Sequence, residues 1–113
     1  NTEVIHNADL KRHEIWLDGE KVGHSDYVAR NGELHLVHTE VNPEHRGKSL
    51  AAILVRDSLA DIRLNFDEKV VPVCPYVVKY FETHPEVQDL LLEAMKDEFN
   101  ELAAEAIAMH NIK

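Results

Sequence analysis

The sequence has a single cysteine among its 113 residues, so no intrachain disulfide can form and nothing points to an oxidising compartment. Aromatic residues make up only 6%, which leaves aliphatic side chains to fill most of any core. Basic side chains are also scarce. Twelve Lys and Arg stand against 21 Asp and Glu, for a formal net charge of -9. A chain so acidic lacks the concentrated basic face that general nucleic-acid binding needs, so no nucleic-acid partner is expected. The charge leans instead toward cationic or amine-bearing partners. No apolar run approaches the roughly 18 residues of a membrane span, and no membrane association is expected. No signal-peptide pattern is read at the start, and a cytoplasmic location is the expectation.

What is present suits one globular domain. Hydrophobic residues are 44% and charged residues 29%, an ordinary balance for a chain long enough to bury a core. Residues 13–18, "HEIWLD", alternate weakly, and "GEK" at 19–21 reads as a turn. "VGHSDYVAR" at 22–30 and "ELHLVHTEV" at 33–41 are strand candidates joined by Asn31-Gly32, a hairpin signal because both residues tolerate positive φ. The first third therefore predicts an antiparallel meander.

From Gly47 the period changes. Ala51, Leu54, Val55, Leu59, Ile62 and Phe66 recur at intervals of three and four, as one buried helix stripe requires. "KVVPVCP" at 69–75 predicts a short buried strand, and "YVVKYFETH" another helix stopped near Pro85. Thr83 and Glu86 then have capping-box spacing, with Pro85 in the first turn. Leu92, Met95, Phe99, Leu102, Ala106 and Met109 follow in three-four alternation. Such a seam either docks on its own domain or pairs with a second copy, giving a homodimer.

The junction "VNPEHRGKSLAAILV", 41–55, carries the chemistry. A strand passes into a helix through Arg46, Gly47, Lys48 and Ser49. A helix start offers unpaired N–H groups and partial positive charge, and glycine lets a phosphate come close to the backbone. Read by itself, this stretch is either a tight turn with a helix cap or a seat for a phosphorylated cofactor. Eight histidines raise the question of a metal. His35 and His38 leave a strand on opposite faces, and His6, His13, His24, His45, His84 and His110 show no i, i+4 helical pair and no cysteine partner. No metal site is expected, and most of these rings should be solvated.

"LVHTEVNPEHRGKSLAAILV", "KVVPVCPYVVKYF" and "HPE" resemble, in that order, the minimal single-domain members of the GCN5-related N-acetyltransferase superfamily, over about residues 8–91. The resemblance implies an α/β (α+β) fold with a mixed, mostly antiparallel sheet, a central splayed parallel strand pair, flanking helices and an additional C-terminal helix. It implies a domain over 1–91 and a helical extension over 92–113. It implies acetyl-CoA as cofactor, with His45, Arg46, Gly47, Lys48, Ser49 and Leu50 cradling the pyrophosphate, Thr39 to Val41 pairing with the pantetheine arm, and Tyr80 beside the thiol. The sequence departs from the superfamily pattern at Glu44, where Gln or Arg is usual, and at Ser49, where Gly or Ala is usual.

The resembled branch carries a cysteine at Cys74 and a histidine at His38. The cysteine is either core packing or a nucleophile. If the two approach, His38 takes the thiol proton and Cys74 accepts the acetyl group. In the rival route an amine, deprotonated by His38 or Glu40, attacks directly, with Tyr76 or Tyr80 protonating the departing thiolate. The implied activity is acetyl transfer to a small-molecule or peptide amine. The alternative is a non-catalytic CoA-binding or protein-interaction module on the same fold.

Overall fold

The computed structural model describes residues 1–47, 49–97 and 99. Five strands form one sheet in the order of the chain: β1 (Thr2–Asn7), β2 (Arg12–Leu17), β3 (Glu20–Arg30), β4 (Glu33–Val41) and β5 (Lys69–Pro72). The first four pair antiparallel, and β5 pairs parallel with β4. The crossover between β4 and β5 is α1 (Leu50–Asn65), and α2 (Pro75–Thr83) follows β5. This is the expected mixed, mostly antiparallel sheet with flanking helices.

The turns follow from local chemistry. Asn31 and Gly32 both take positive φ, 54° and 77°, so the β3–β4 hairpin closes where the sequence predicts it. β1 is an added strand that weak alternation in the first residues did not signal. It pairs His6 directly with His13 across the β1–β2 hairpin.

Two irregularities set which side chains face the helices. Between Ile15 and Trp16 of β2, β3 carries one extra residue. Between Asp26 and Tyr27 of β3, β4 does the same: His38 pairs Asp26, Leu36 pairs Tyr27, and Val37 is the bulged residue. An extra residue shifts the two-residue period by one. Leu34 and Leu36 face the core before the bulge, and Val41 packs against Leu50 and Leu54 beyond it.

The core has two parts. The larger joins Leu34 and Leu36 to Val55, Leu59 and Ile62 of α1, Val70 of β5, and Val77, Tyr80 and Phe81 of α2. The smaller gathers Ile15, Val22, Leu50 and Leu54. The α1 stripe is as predicted through Ile62 but differs at both ends: at its start Leu50 is buried and Ala51 only half-buried, and Phe66 lies just past the helix in extended backbone. Ala51 turns toward a cavity instead.

The capping box does not form. Thr83 ends α2, with its hydroxyl donating to the Lys79 carbonyl. Residues 85–90 make a 3-10 turn, and Leu91 then enters the sheet edge as a bridge to Val70. Burying Leu91 completely outweighs continuing a helix, so helical residues resume only at 93. Met95 and Phe99 pack on the main core, Phe99 against Phe81. Leu102, Ala106 and Met109, and with them the rest of the predicted seam and any dimer contact through it, lie outside the described residues.

Candidate active site

β4 and β5 pair only from Glu33↔Lys69 to Leu36↔Pro72. There the ladder ends: the N–H groups of Val73 and Cys74 both donate to the Leu36 carbonyl at 3.0 Å. Beyond that point the two strands part. Pro72 and Pro75 lack N–H donors and so cannot extend the ladder, and Pro75 starts α2. Among the described residues no backbone bond joins β5 to residues 37–41 of β4. That length of β4 is open to a ligand that can pair with a backbone.

The turn after β4 is built for close backbone approach. Pro43–His45 form one 3-10 turn, after which Gly47 takes φ 86° and Ser49 φ 60°. A Cβ at Gly47 would meet nothing within 4 Å, so the position is open to a ligand from outside the chain. Ser49 precedes α1 without a capping bond from its hydroxyl, leaving that hydroxyl and the first-turn N–H groups to face the cleft. The cavity here, about 330 Å³, is lined by Val41, His45, Arg46, Gly47, Ser49 and Leu50 among others. Glu44 holds its carboxylate in solvent, 3.9 Å from the His45 ring, and does not line that cavity. Lys48 lies outside the described residues.

Two neighbouring cavities continue the groove. One of about 350 Å³ runs along His38, Thr39, Glu40 and Val41 to Arg46 and Tyr76. The other, about 340 Å³, lies between Ala52, Tyr76, Lys79, Tyr80 and His84. Tyr76 lines all three. Burial pushes the hydroxyls of Tyr76 and Tyr80 above the ordinary tyrosine value, so both remain protonated donors at neutral pH. Tyr80 is further fixed by stacking on His84, with centroids 3.8 Å apart.

Cys74 is where the sequence places it, just after β5 and at the start of α2. Its thiol is nearly buried and lies 3.7 Å from the Thr39 hydroxyl. His38 is not its partner. Thr39 faces Cys74, and its neighbour His38 leaves β4 on the opposite side, where its ring is 5.8 Å from His24. The bulge at Val37 causes this, because without it His38 would share the face of Leu36. His38 instead joins a polar cluster. Its Nε2 is 3.6 Å from Glu40, His24 Nε2 is 3.4 Å from the same carboxylate, and His24 Nδ1 is 2.9 Å from Asp26. His24 carried no recognisable signal in the sequence, since it reaches this cluster only through β3–β4 pairing.

The fold also gathers residues expected to be solvated. His6, His13 and Asp61 present donor atoms all within 4.8 Å of one another, contrary to the absence of a ligand set expected from spacing. The signal available was a β1–β2 hairpin that sets His6 opposite His13; Asp61, 48 positions from His13, could be found only through the fold.

No helix among the described residues is long and apolar enough to cross a membrane. A comparison with curated proteins finds no match. Among solved structures, one that is similar is a crystal structure of ribosomal-protein-alanine N-acetyltransferase from Brucella melitensis biovar Abortus 2308, with a TM-score of 0.50 and 22% identity. The similarity covers 63% of this chain and 59% of that one, so the chain spans about three fifths of that protein's length. At this identity the likeness concerns the fold. Residues 12–90, from β2 through the 3-10 turn after α2, match the family described as GCN5-related N-acetyl-transferase. The chain belongs to the GCN5-related N-acetyltransferase family, whose reaction is acetyl transfer and whose members use acetyl-CoA.

Proposed function

We propose that this chain binds acetyl-CoA in the groove between β4 and β5 and transfers its acetyl group directly to an amine. The observation that carries the reading is the end of β4–β5 pairing at Leu36 beside a glycine turn with φ 86°. The open edge of Thr39 to Val41 suits the amide-bearing pantetheine arm. His45, Arg46, Gly47, Lys48, Ser49 and Leu50 would hold the pyrophosphate through first-turn N–H groups, the Arg46 and Lys48 charges and the Ser49 hydroxyl. Acetyl-CoA supplies the acetyl group as a thioester, and the products are an amide and the CoA thiol.

The chain's own groups then divide by face. On the open face, His38 takes a proton from the acceptor amine. The Glu40 carboxylate beside it, 3.6 Å away, stabilises the imidazolium that forms. On the helix face, Tyr76 or Tyr80 holds a proton for the departing thiolate. Cys74 serves as a wall of the groove, fixed by Thr39. The positions of His38 and Cys74 on opposite sides of β4 favour this route over an acetyl-Cys74 intermediate. The acidic face around Asp26 and Glu40 favours a cationic acceptor, such as a primary amine.

Calorimetric titration with acetyl-CoA tests the seat. Wild-type protein should bind, and Gly47→Asp should lose binding while keeping its fold, since Asp tolerates positive φ better than most residues. Binding unchanged in Gly47→Asp would move the pyrophosphate elsewhere. Turnover with an amine acceptor in Cys74→Ala separates the routes: retained activity supports direct transfer, and lost activity with acetyl-CoA binding intact restores the covalent one.

A further inference from the structure

The corner of the molecule farthest along the sheet from the β4–β5 groove holds a cluster that acetyl transfer does not use. His6 of β1, His13 of β2 and Asp61 of α1 converge on one carboxylate oxygen. His13 Nε2 lies 2.7 Å from Asp61 Oδ2, and His6 Nδ1 lies 3.9 Å from the same oxygen. Ligands around a tetrahedral Zn²⁺ at about 2.0–2.1 Å stand roughly 3.3 Å apart. The two distances bracket that value and all three donor atoms lie within 4.8 Å of one another, so side-chain shifts of about an ångström, with the stacked rings turning apart, would seat an ion. We propose that His6, His13 and Asp61 form a binding site for a divalent transition metal of the zinc class, with a fourth position open to water.

The surroundings match what such sites need. A ligating imidazole is oriented through its other nitrogen, and a ligating carboxylate through its other oxygen. His6 Nε2 is 2.6 Å from the Tyr27 hydroxyl. Asp61 Oδ1 accepts from Asn65 Nδ2 at 2.7 Å. His6 Nδ1 and Asp61 Oδ2 are left over from these bonds on the side of the cluster. The two rings stack with centroids 4.8 Å apart, and Phe66 closes the site with its ring 5.1 Å from His6. His13 is buried and its outer neighbour His6 is partly exposed, which gives an ion a path in and room for water. Two imidazoles and one carboxylate favour Zn²⁺ and its neighbours over Ca²⁺ or Mg²⁺, which take mostly oxygen ligands. The ion would tie the β1–β2 hairpin to α1, adding to the His13–Asp61 hydrogen bond and the Phe66 contact that join them here.

The test uses Co²⁺ as a spectroscopic stand-in on the full chain without an affinity tag, followed by Zn²⁺ competition and thermal unfolding. One equivalent of Co²⁺ should give the visible bands of a low-coordinate N/O site, Zn²⁺ should bleach them, and Zn²⁺ should raise the unfolding temperature. Tyr27→Phe should weaken binding roughly 10- to 100-fold. His6→Gln and Asp61→Asn should weaken it by more than that. His6→Gln carries the test if Asp61→Asn fails to fold, because His6 is the partly exposed member. Absence of bands in the wild type overturns the proposal. So does binding that persists undiminished in His6→Gln, which would assign the metal to other histidines such as His24 and His38.

Discussion

The two halves of β4 are built from similar residues and do different work. From Glu33 to Leu36 the strand is paired on both sides, with Leu34 and Leu36 sealed against both helices. From Val37 to Val41 it is paired on one side only, and His38, Thr39, Glu40 and Val41 all border a groove, Thr39 on the side of Cys74 and His38 on the side of His24. The difference lies in the partner strand: β5 runs four residues and then meets Cys74 and Pro75. The closed half supplies rigidity, and the open half supplies unspent backbone groups held in place by that rigidity. A recognition site thus arises where a regular sheet is made to stop.

The largest expected effect comes from opening the closed half. Leu34→Ala removes a fully buried side chain and should cost about 2–5 kcal/mol in chemical denaturation. A loss under about 1 kcal/mol would mean that the closed half does not anchor the sheet. Next in size is a change that pushes on the open half from behind. A Cβ at Gly23 would lie 2.5 Å from the Glu40 carbonyl and 3.2 Å from Val41 Cα. Gly23→Ala should therefore cost about 1–3 kcal/mol and weaken acetyl-CoA binding together with stability. Lost stability with affinity unchanged would show that the groove tolerates a displaced wall.

Thr39→Val, inside the open half, should cost below about 1 kcal/mol, because its thiol contact is a weak one. It should still change the rate at which Cys74 is alkylated, read by mass spectrometry. The smallest effect should come from Asp89, whose exposed carboxylate takes two hydrogen bonds from Arg63 across the closed half. That bonding holds the Asp89 carboxyl below its ordinary value. With the folded value depressed, its contribution is present at neutral pH and is lost as pH falls below the ordinary carboxylate range. Asp89→Asn should lower stability by a fraction of about 1 kcal/mol at neutral pH and low salt, and by nothing in acid. Parallel denaturation series at the two pH values would check this.

What could be read in the sequence was what depends on near neighbours. Asn31-Gly32 dictates its hairpin, the three-four stripe dictates α1, and Gly47 marks its own turn. Pairing between distant strands follows other rules. Nothing local to Val37 marks it as a bulge, so the pairing of His38 with Cys74, natural under strict alternation, does not occur. The cap at Thr83 looked complete in isolation and lost to the burial of Leu91 beside Val70. His6, His13 and Asp61 have no common spacing because three separate elements deliver them.

The bulge at Val37 has a consequence for how this site could change over time. A strand with one residue too many is out of phase with itself, odd positions inward on one side of the defect and even positions on the other. Giving Val37 a partner, by one added residue in β3 between Asp26 and Tyr27, would restore the phase and exchange the two rows of side chains: His38 would turn in toward Cys74, and Thr39 would turn out. A histidine–cysteine pair and a threonine–cysteine pair are thus one codon apart on this scaffold. A change in length, without any change in residue type, would be enough to move the chain from one arrangement of groups to the other.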